Sequence, residues 1–226
     1  VLFGFIIPAG QLLYWAVNTA TETVNWSFAL LAWNSVMLAA ISSIVAVLLA
    51  LLLAYGNRLQ GNMLSTTGVR IASMGYAVPG TVIAVGVLLP FAWLDNSIDA
   101  WMREQFNLST GLLLSGTLFA LVFAYTVRFL SVSIQAIESG LGKIKFSMDD
   151  AGRSLGLSPA GVLGRIHMPL MKGTIVTALL LVFVDVLKEL PATLILRPFN
   201  FNTLAVRAYE MASDERLADA GAPALM

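Results

Sequence analysis

Four stretches of the chain are apolar over lengths close to a membrane span. They are residues 36–54, 71–94, 111–127 and 173–196. The first two carry no charged side chain, and the third carries none before Arg128. The fourth continues through Asp185, Lys188 and Glu189 before it reaches full length. Because about 20 helical residues cross a hydrocarbon core of about 30 Å, the pattern predicts four membrane-spanning helices.

Composition supports an integral membrane protein. Of the 226 residues, 58% are hydrophobic and 12% are charged, whereas soluble domains carry about 25% charged residues. A backbone in lipid must satisfy its own hydrogen bonds, so we expect an all-α polytopic transmembrane bundle. The chain has no cysteine, which excludes disulfides, iron–sulfur clusters and thiol nucleophiles. Its net charge of zero gives no reason to expect nucleic acid as a partner.

Both ends of the chain resemble interrupted spans. Residue 1 lies inside an apolar run over residues 1–17, and residues 218–226 resemble the start of another span. We therefore expect residues 1–226 to be a single transmembrane domain that is truncated at both ends and belongs to a longer protein.

Basic residues indicate the orientation, because Lys and Arg accumulate on the cytoplasmic side. Residues 57–70 contain two arginines and no acidic residue, and residues 138–172 contain five basic residues. We expect both segments to be cytoplasmic, and residues 95–110 and 200–219 to face outward.

The second cytoplasmic segment, residues 138–172, contains signals for two short helices. Residues 147–150 form a capping-box pattern for a first helix, and Gly156 can end that helix in a left-handed conformation. Ser158 and Pro159 form an N-cap and first position for a second helix, which we expect to end at Pro169. The pattern predicts a helix-turn-helix on the cytoplasmic side.

These residues carry a family resemblance. The sequence Asp150-Ala151-Gly152, three residues, Gly156, nine residues, Ile166, one residue, Met168-Pro169 resembles the EAA motif of ABC-importer permeases, the binding-protein-dependent transport inner-membrane components. That pattern is E-A-A-x3-G-x9-I-x-L-P, and all spacings match. Asp150 replaces Glu, Gly152 replaces the second Ala, and Met168 replaces Leu.

The resemblance implies the type I ABC-importer permease fold in a bacterial cytoplasmic (inner) membrane. Residues 138–172 would be the coupling segment that contacts cytoplasmic ABC ATPase subunits, with a small face at Ala151, Gly152 and Gly156. A periplasmic or surface substrate-binding protein and a second permease half, fused or separate, would complete the transporter within membrane lipid. No G-x4-G-K-[ST] sequence occurs, so the chain would have no enzymatic activity or cofactor, and ATP would bind the partner.

The C-terminal part also resembles iron(III)-importer permeases. The resemblance lies in residues 185–200 and 203–217, and the single late EAA-like motif suggests the C-terminal half of such a protein. Ferric iron is therefore the expected substrate. Molybdate, sulfate, thiamine or a polyamine would be substrates of related permeases and are the alternatives.

Charged residues near the end of the fourth apolar stretch form a candidate pathway site. Asp185, Lys188 and Glu189 are spaced to share one helix face, and Pro191 then breaks the helix. Intramembrane charges either line a pathway or pair with one another, and both interpretations remain open. A secondary transporter using Asp185 and Glu189 as ion sites is the alternative class. An intramembrane enzyme is disfavoured, because the chain has one histidine and no G-x-S-x-G sequence.

Overall fold

The computed structural model describes residues 2–225, apart from the side chain of residue 22, as helices joined by turns. A π-turn at Leu2–Ile6 precedes the first helix, and no strand occurs in the described part of the chain. The helices are α1 (Ile7–Thr23), α2 (Trp26–Gln60), α3 (Met63–Ala72), α4 (Gly80–Phe106), α5 (Leu118–Leu141), α6 (Phe146–Ser154), α7 (Pro159–Val162), α8 (Met168–Leu170), α9 (Lys172–Leu187), α10 (Pro191–Leu196), α11 (Leu204–Ser213) and α12 (Gly221–Leu225). The predicted all-α class is confirmed.

Three helices among the described residues are long and apolar enough to cross a membrane, namely α2, α4 and α5. A fourth span is formed only if two helical stretches, Pro159–Leu170 and Lys172–Leu187, are taken together across a bend of 79°. Each of α2, α4 and α5 is therefore a single long helix. The fourth predicted span, residues 173–196, is not one helix, because α9 ends at Leu187 and α10 begins at Pro191.

The second predicted span has a different beginning from the one expected. Residues 71–94 are uniformly apolar, but the chain leaves the helix after α3 and passes through a 3-10 turn at Gly75–Ala77 before α4 begins. Pro79 directly precedes α4, where its missing N–H costs no helical hydrogen bond. At Gly75 an added Cβ would lie 2.0 Å from the carbonyl oxygen of Val127. This close approach of two backbones requires glycine.

The prediction of the third span, residues 111–127, was also wrong at both of its ends. Residues 111–117 are not helical, and α5 continues through Arg128 to Leu141. Arg128 lies ten residues after the start of α5, or about 15 Å along the helix. Its Nη1 donates to the carbonyl oxygen of Val78 at 3.2 Å, in the extended stretch before α4. An arginine can therefore occupy the middle of this helix, because it binds a carbonyl that the helix break leaves free.

Two carboxylates of α4 hold the non-helical connection to α5. Asp95 is fully buried and accepts hydrogen bonds from the N–H groups of residues 113–115, at 2.7 to 3.1 Å. Asp99 accepts from the N–H groups of Thr110 and Gly111. The connection is thus an ordered loop, although the sequence suggested that it was already part of a span.

The chain divides into two compact units, each with its own packing. One contains Ala40–Ile83 and Val122–Val186, and its core is an apolar cluster of side chains. That cluster includes Val47, Leu51, Ile134, Ile137, Met171 and Ala178. The other contains the chain up to Ala39, Ala84–Leu121 and the chain from Leu187 onward. There α1 packs closely on α12, where a Cβ on Gly221 would lie 2.9 Å from the carbonyl oxygen of Leu12.

Candidate functional site in the segment between α5 and α9

The turn between the two short helices follows the sequence prediction. Gly156 has a φ of +82° just after α6. Its N–H donates to the carbonyl of Arg153 at 2.9 Å, and the N–H of Leu157 donates to the carbonyl of Gly152 at 3.1 Å. This pair of bonds is a Schellman motif, which satisfies the last free carbonyls of α6. The predicted role of Gly156 as a helix terminator is confirmed.

The second helical stretch begins as predicted but ends later. The hydroxyl of Ser158 accepts a hydrogen bond from the N–H of Gly161, and Pro159 takes the first helical position. The prediction that Pro169 ends the helix is wrong, because the helical path continues to Leu170. A π-turn at Leu163–His167 precedes this proline. The wider turn shifts the hydrogen-bond register, so the proline lies in the first turn of α8, where it needs no N–H.

The capping box predicted for residues 147–150 does not form. α6 begins at Phe146, one residue before the expected cap, and its N-cap residue Lys145 makes no side-chain cap bond. Ser147, the expected N-cap, therefore lies inside α6. Asp149, in the same turn of the helix, is buried.

The buried carboxylate of Asp149 lies between two basic side chains. Its Oδ2 accepts from Nε of Arg58 at 2.8 Å, and its Oδ1 lies 2.6 Å from Nε2 of His167. The side chains of Arg58 and Asp149 are 7% and 6% exposed, and His167 is fully buried. The ring of Tyr55 packs edge-on against His167 with the ring centres 5.3 Å apart. These four residues, called here the Asp149 network, join α2 to both halves of the segment.

The network holds Asp149 in its charged form. Burial by itself would raise the pKa of Asp149, but the hydrogen bonds from Arg58 and His167 and the charges of these two groups outweigh it, so the pKa lies below its usual value. The pKa of Asp149 is lower in the folded protein than in the unfolded chain, where it is about 3.9, so the charged carboxylate stabilises the fold at pH values above about 3.9. This stabilisation is lost as the pH falls through the lowered pKa of the folded protein. At neutral pH it is fully present.

The motif residues divide between two faces of the segment. Asp150, Ala151 and Gly156 are exposed, and so is Pro169. Gly152 is buried, in contrast to the expected small outer face, and a Cβ there would lie 2.8 Å from Cδ1 of Ile166. Gly152 and half-buried Ile166 therefore pack the two short helices against each other. The surface open to a partner consists of Asp150, Ala151 and the turn at Gly156.

The candidate pathway residues lie at a break in the helical chain. α9 ends at Leu187, so the expectation that Asp185, Lys188 and Glu189 share one face of a continuous helix is wrong. Asp185 is half-buried in α9, Lys188 is exposed, and Glu189 is buried. Pro191 does not end a helix but begins α10, a position that suits its fixed φ.

Glu189 stabilises the start of α10. Its Oε1 accepts from the N–H of Ala192 at 3.3 Å, and its main-chain oxygen accepts from the hydroxyl of Thr193. One carboxylate oxygen thus binds a helix N–H that would otherwise lack a partner. The structure therefore assigns Glu189 at least a local structural contact.

Sequence reasoning missed most of the Asp149 network. Tyr55 and Arg58 lie at the end of an apolar run, and Arg58 was used only to indicate orientation. His167 was noted as the only histidine of the chain. Its position two residues before the motif proline was the one available signal. Among the described residues, no group of three or more His, Asp or Glu side chains could hold a metal ion.

Two solved structures share this fold. The first is the crystal structure of a bacterial alginate ABC transporter in complex with an alginate pentasaccharide-bound periplasmic protein. The match covers 99% of this chain and 83% of the transporter chain, with a TM-score of 0.74 and 13% sequence identity. A second structure of a bacterial ABC transporter involved in alginate import matches all of this chain with a TM-score of 0.70 and 12% identity.

Curated relatives are similar over nearly the whole chain. The Fe(3+)-transport system permease protein FbpB 2 of Haemophilus influenzae is 27% identical over 223 residues, which are 97% of this chain but 41% of that protein. The putative 2-aminoethylphosphonate transport system permease protein PhnV of Salmonella paratyphi A is 26% identical over 96% of this chain and 74% of its own length. The chain thus spans less than half of the first relative.

A family match covers the spans and the segment together. Residues 46–213 match the family of binding-protein-dependent transport system inner membrane components. The matched region contains the C-terminal part of α2, all of α3 to α11, and the Asp149 network. The chain belongs to this family of inner membrane components.

Proposed function

We propose that the chain is the membrane-spanning permease part of an ATP-driven ABC importer, and that residues 138–172 contact its ATPase subunits in the cytoplasm. The observation that carries this proposal is the division of the segment into two faces. Asp149 and Gly152 face inward, whereas Asp150, Ala151 and the Gly156 turn are open. A short helix with one fixed face and one small open face suits docking into a groove of a partner.

The other partners follow from the same proposal. A substrate-binding protein would dock on the outer side, and a second permease half would complete the pathway. The excess of Lys and Arg in residues 57–70 and 138–172 supports this orientation. ATP hydrolysis would take place in the separate ATPase subunits, and this chain would have no catalytic activity.

The variant Ala151→Arg tests the ATPase contact. Ala151 is exposed within α6, so a long cation there leaves the fold intact but blocks close approach to a partner groove. We expect co-purification with the ATPase subunits and substrate uptake to fall by at least about tenfold, the scale of one central interface residue. Thermal stability should not change.

The matched control for this variant is Gln105→Arg, at an exposed helical position in the segment proposed to face outward. It should leave ATPase association at the wild-type level. Normal association and uptake in Ala151→Arg would contradict the proposed interface.

We further propose that the transported substrate is ferric iron. Support comes from the Haemophilus influenzae Fe(3+) permease and from the ferric transport system permease protein FbpB of Actinobacillus pleuropneumoniae, which is 27% identical over 87% of this chain. The relatives named for 2-aminoethylphosphonate transport favour that phosphonate as the second candidate. Uptake of iron-55 citrate, compared with growth on 2-aminoethylphosphonate as the only phosphorus source, distinguishes the two in cells that carry the complete transporter.

We also propose that four residues at the break after α9 line the translocation pathway, namely Asp185, Lys188, Glu189 and Pro191. Glu189→Gln tests this role, because the amide oxygen can still accept the N–H of Ala192 while the charge is lost. We expect unchanged folding and ATPase association, with uptake lowered by about tenfold for an intramembrane charge that faces the substrate. Glu104→Gln, at an exposed position near the end of α4, is the control.

A purely structural role for Glu189 predicts a different result. The Glu189→Gln protein would then unfold at a lower temperature, whereas uptake per folded transporter would stay at the wild-type level. Wild-type uptake and wild-type stability in Glu189→Gln would contradict both roles.

A further inference from the structure

One arginine of α2 binds two other elements at the same time. Nε of Arg58 donates to Asp149 in α6 at 2.8 Å. Its Nη1 donates to the carbonyl of Leu141 at 2.6 Å, and its Nη2 donates to the carbonyl of Ile144 at 2.8 Å. Leu141 is the last residue of α5, where helix carbonyls have no intrahelical partner. The centre of the Phe146 ring lies 4.3 Å from the guanidinium carbon, so a cation–π contact adds to the three hydrogen bonds.

The second half of the segment is attached to the same end of α2. The hydroxyl of Tyr55 donates to the carbonyl of Pro159 at 2.7 Å, and His167 lies against both the Tyr55 ring and the Asp149 carboxylate. Tyr55 and Arg58 are three residues apart in α2, so they project from one face of that helix. Both short helices of the segment are therefore bound to one turn of α2.

Covalent connections alone would not link the segment to α2. The chain joins the segment to α5 through residues 142–145, and to α9 through Met171, where the helical path bends by 79°. α2 ends at Gln60, far before the segment begins at residue 138, so any motion that they share must pass through side chains. The buried contacts of Arg58 and Tyr55 provide that connection.

We propose that Arg58 is a positioning residue for coupling, which fixes the segment to α2 so that the two move as one body when a partner displaces the open face. This inference rests on the proposed function, because the displacement comes from the ATPase subunits. Lysine cannot replace arginine here, since one ammonium group lacks the planar set of donors that reaches three separate acceptors. The geometry of the guanidinium, and not its charge alone, carries the role.

The experiment measures a distance between α2 and α6 in the complete transporter with its ATPase subunits. Because the chain has no cysteine, spin labels can be placed at Gln60→Cys and Ser154→Cys, which are both exposed. The distance is measured without nucleotide and with ATP plus vanadate. In the protein with Arg58 we expect the same distance in both states, within about 2 Å. In Arg58→Lys we expect the distance to change with nucleotide and uptake per ATP hydrolysed to fall about tenfold.

Arg103→Lys is the matched control. Arg103 also forms an arginine–aspartate pair, with Asp99 at 2.7 Å, but its side chain is 62% exposed, and such pairs contribute little. It should leave the distance and the uptake per ATP unchanged. If Arg58 had only a structural role, Arg58→Lys would lower the thermal stability, and the distance between the labels would still be the same with and without nucleotide.

Several outcomes would overturn the proposal. If the distance changes with nucleotide in the wild-type protein, α2 and α6 do not move together, and the proposal is wrong. This measurement needs only the wild-type protein, so it decides the matter even if Arg58→Lys fails to assemble. A distance that stays fixed in Arg58→Lys shows that the guanidinium is not the connection. Absence of bound ATPase subunits in the wild-type protein is a separate result, which would contradict the proposed function itself.

Discussion

Replacing Asp149 with asparagine is expected to lower the stability of the protein more than any other single change in the segment. The substitution removes the negative charge that lies between Arg58 and His167, and it leaves the guanidinium buried without its ionic partner. Breaking a buried pair in this way costs about 3–5 kcal/mol. The midpoint of thermal unfolding should therefore fall by about 6–20 °C in a chain of this length.

The adjacent residue is the matched control for this prediction. Asp150 has the same side chain in the same helix, but it is exposed. Asp150→Asn should change the unfolding midpoint by little, because exposed charges contribute about 0–1 kcal/mol. Equal effects of the two substitutions in detergent-solubilised protein would show that the Asp149 network does not stabilise the segment.

Gly75→Ala is the second substitution with a large expected effect. The added Cβ would lie 2.0 Å from the carbonyl oxygen of Val127 and 3.0 Å from its carbonyl carbon. Both atoms belong to the backbone of α5, so no side-chain rotation relieves the clash, and α3, α4 and α5 must shift. We expect a loss of at least about 3 kcal/mol, at the upper end of the range for overpacked sites, and poor expression.

Gly86→Ala is the control for Gly75→Ala. Gly86 lies within α4, and an added Cβ there meets no atom within 4 Å. In a helix interior alanine is favoured over glycine by about 1 kcal/mol, so this variant should be at least as stable as the wild type. If Gly75→Ala unfolds at the same temperature as Gly86→Ala, the backbone at Gly75 does not lie as close to α5 as the structure shows.

The parts of the fold that local signals determine could be predicted from the sequence. Hydropathy indicated the spans, and the turn at Gly156 and the cap at Ser158 depend only on neighbouring residues. The prediction for the start of α6 was wrong although that signal is also local, because the helix begins at Phe146 and Ser147 lies inside it rather than at its N-cap.

The contacts of the candidate site could not be predicted because they join distant residues. Arg58 and Asp149 are 91 positions apart, and no local pattern pairs them. Arg128 was read as the end of a span, since hydropathy treats any charge as a boundary. In the structure it continues α5 and binds the carbonyl of Val78 at the helix break. That break lies within an apolar stretch, where hydropathy cannot detect a change in the backbone path.

The contact between the open face of the segment and an ATPase subunit is the central claim, and site-specific photo-crosslinking tests it most directly. A benzophenone side chain replaces Ala151 in the complete transporter, with the same group at Gln105 as the control. After illumination, mass spectrometry identifies the crosslinked chain. We predict an ABC ATPase subunit crosslinked at Ala151 and none at Gln105. An assembled transporter that gives no ATPase crosslink at Ala151, or gives it at Gln105, would contradict this account.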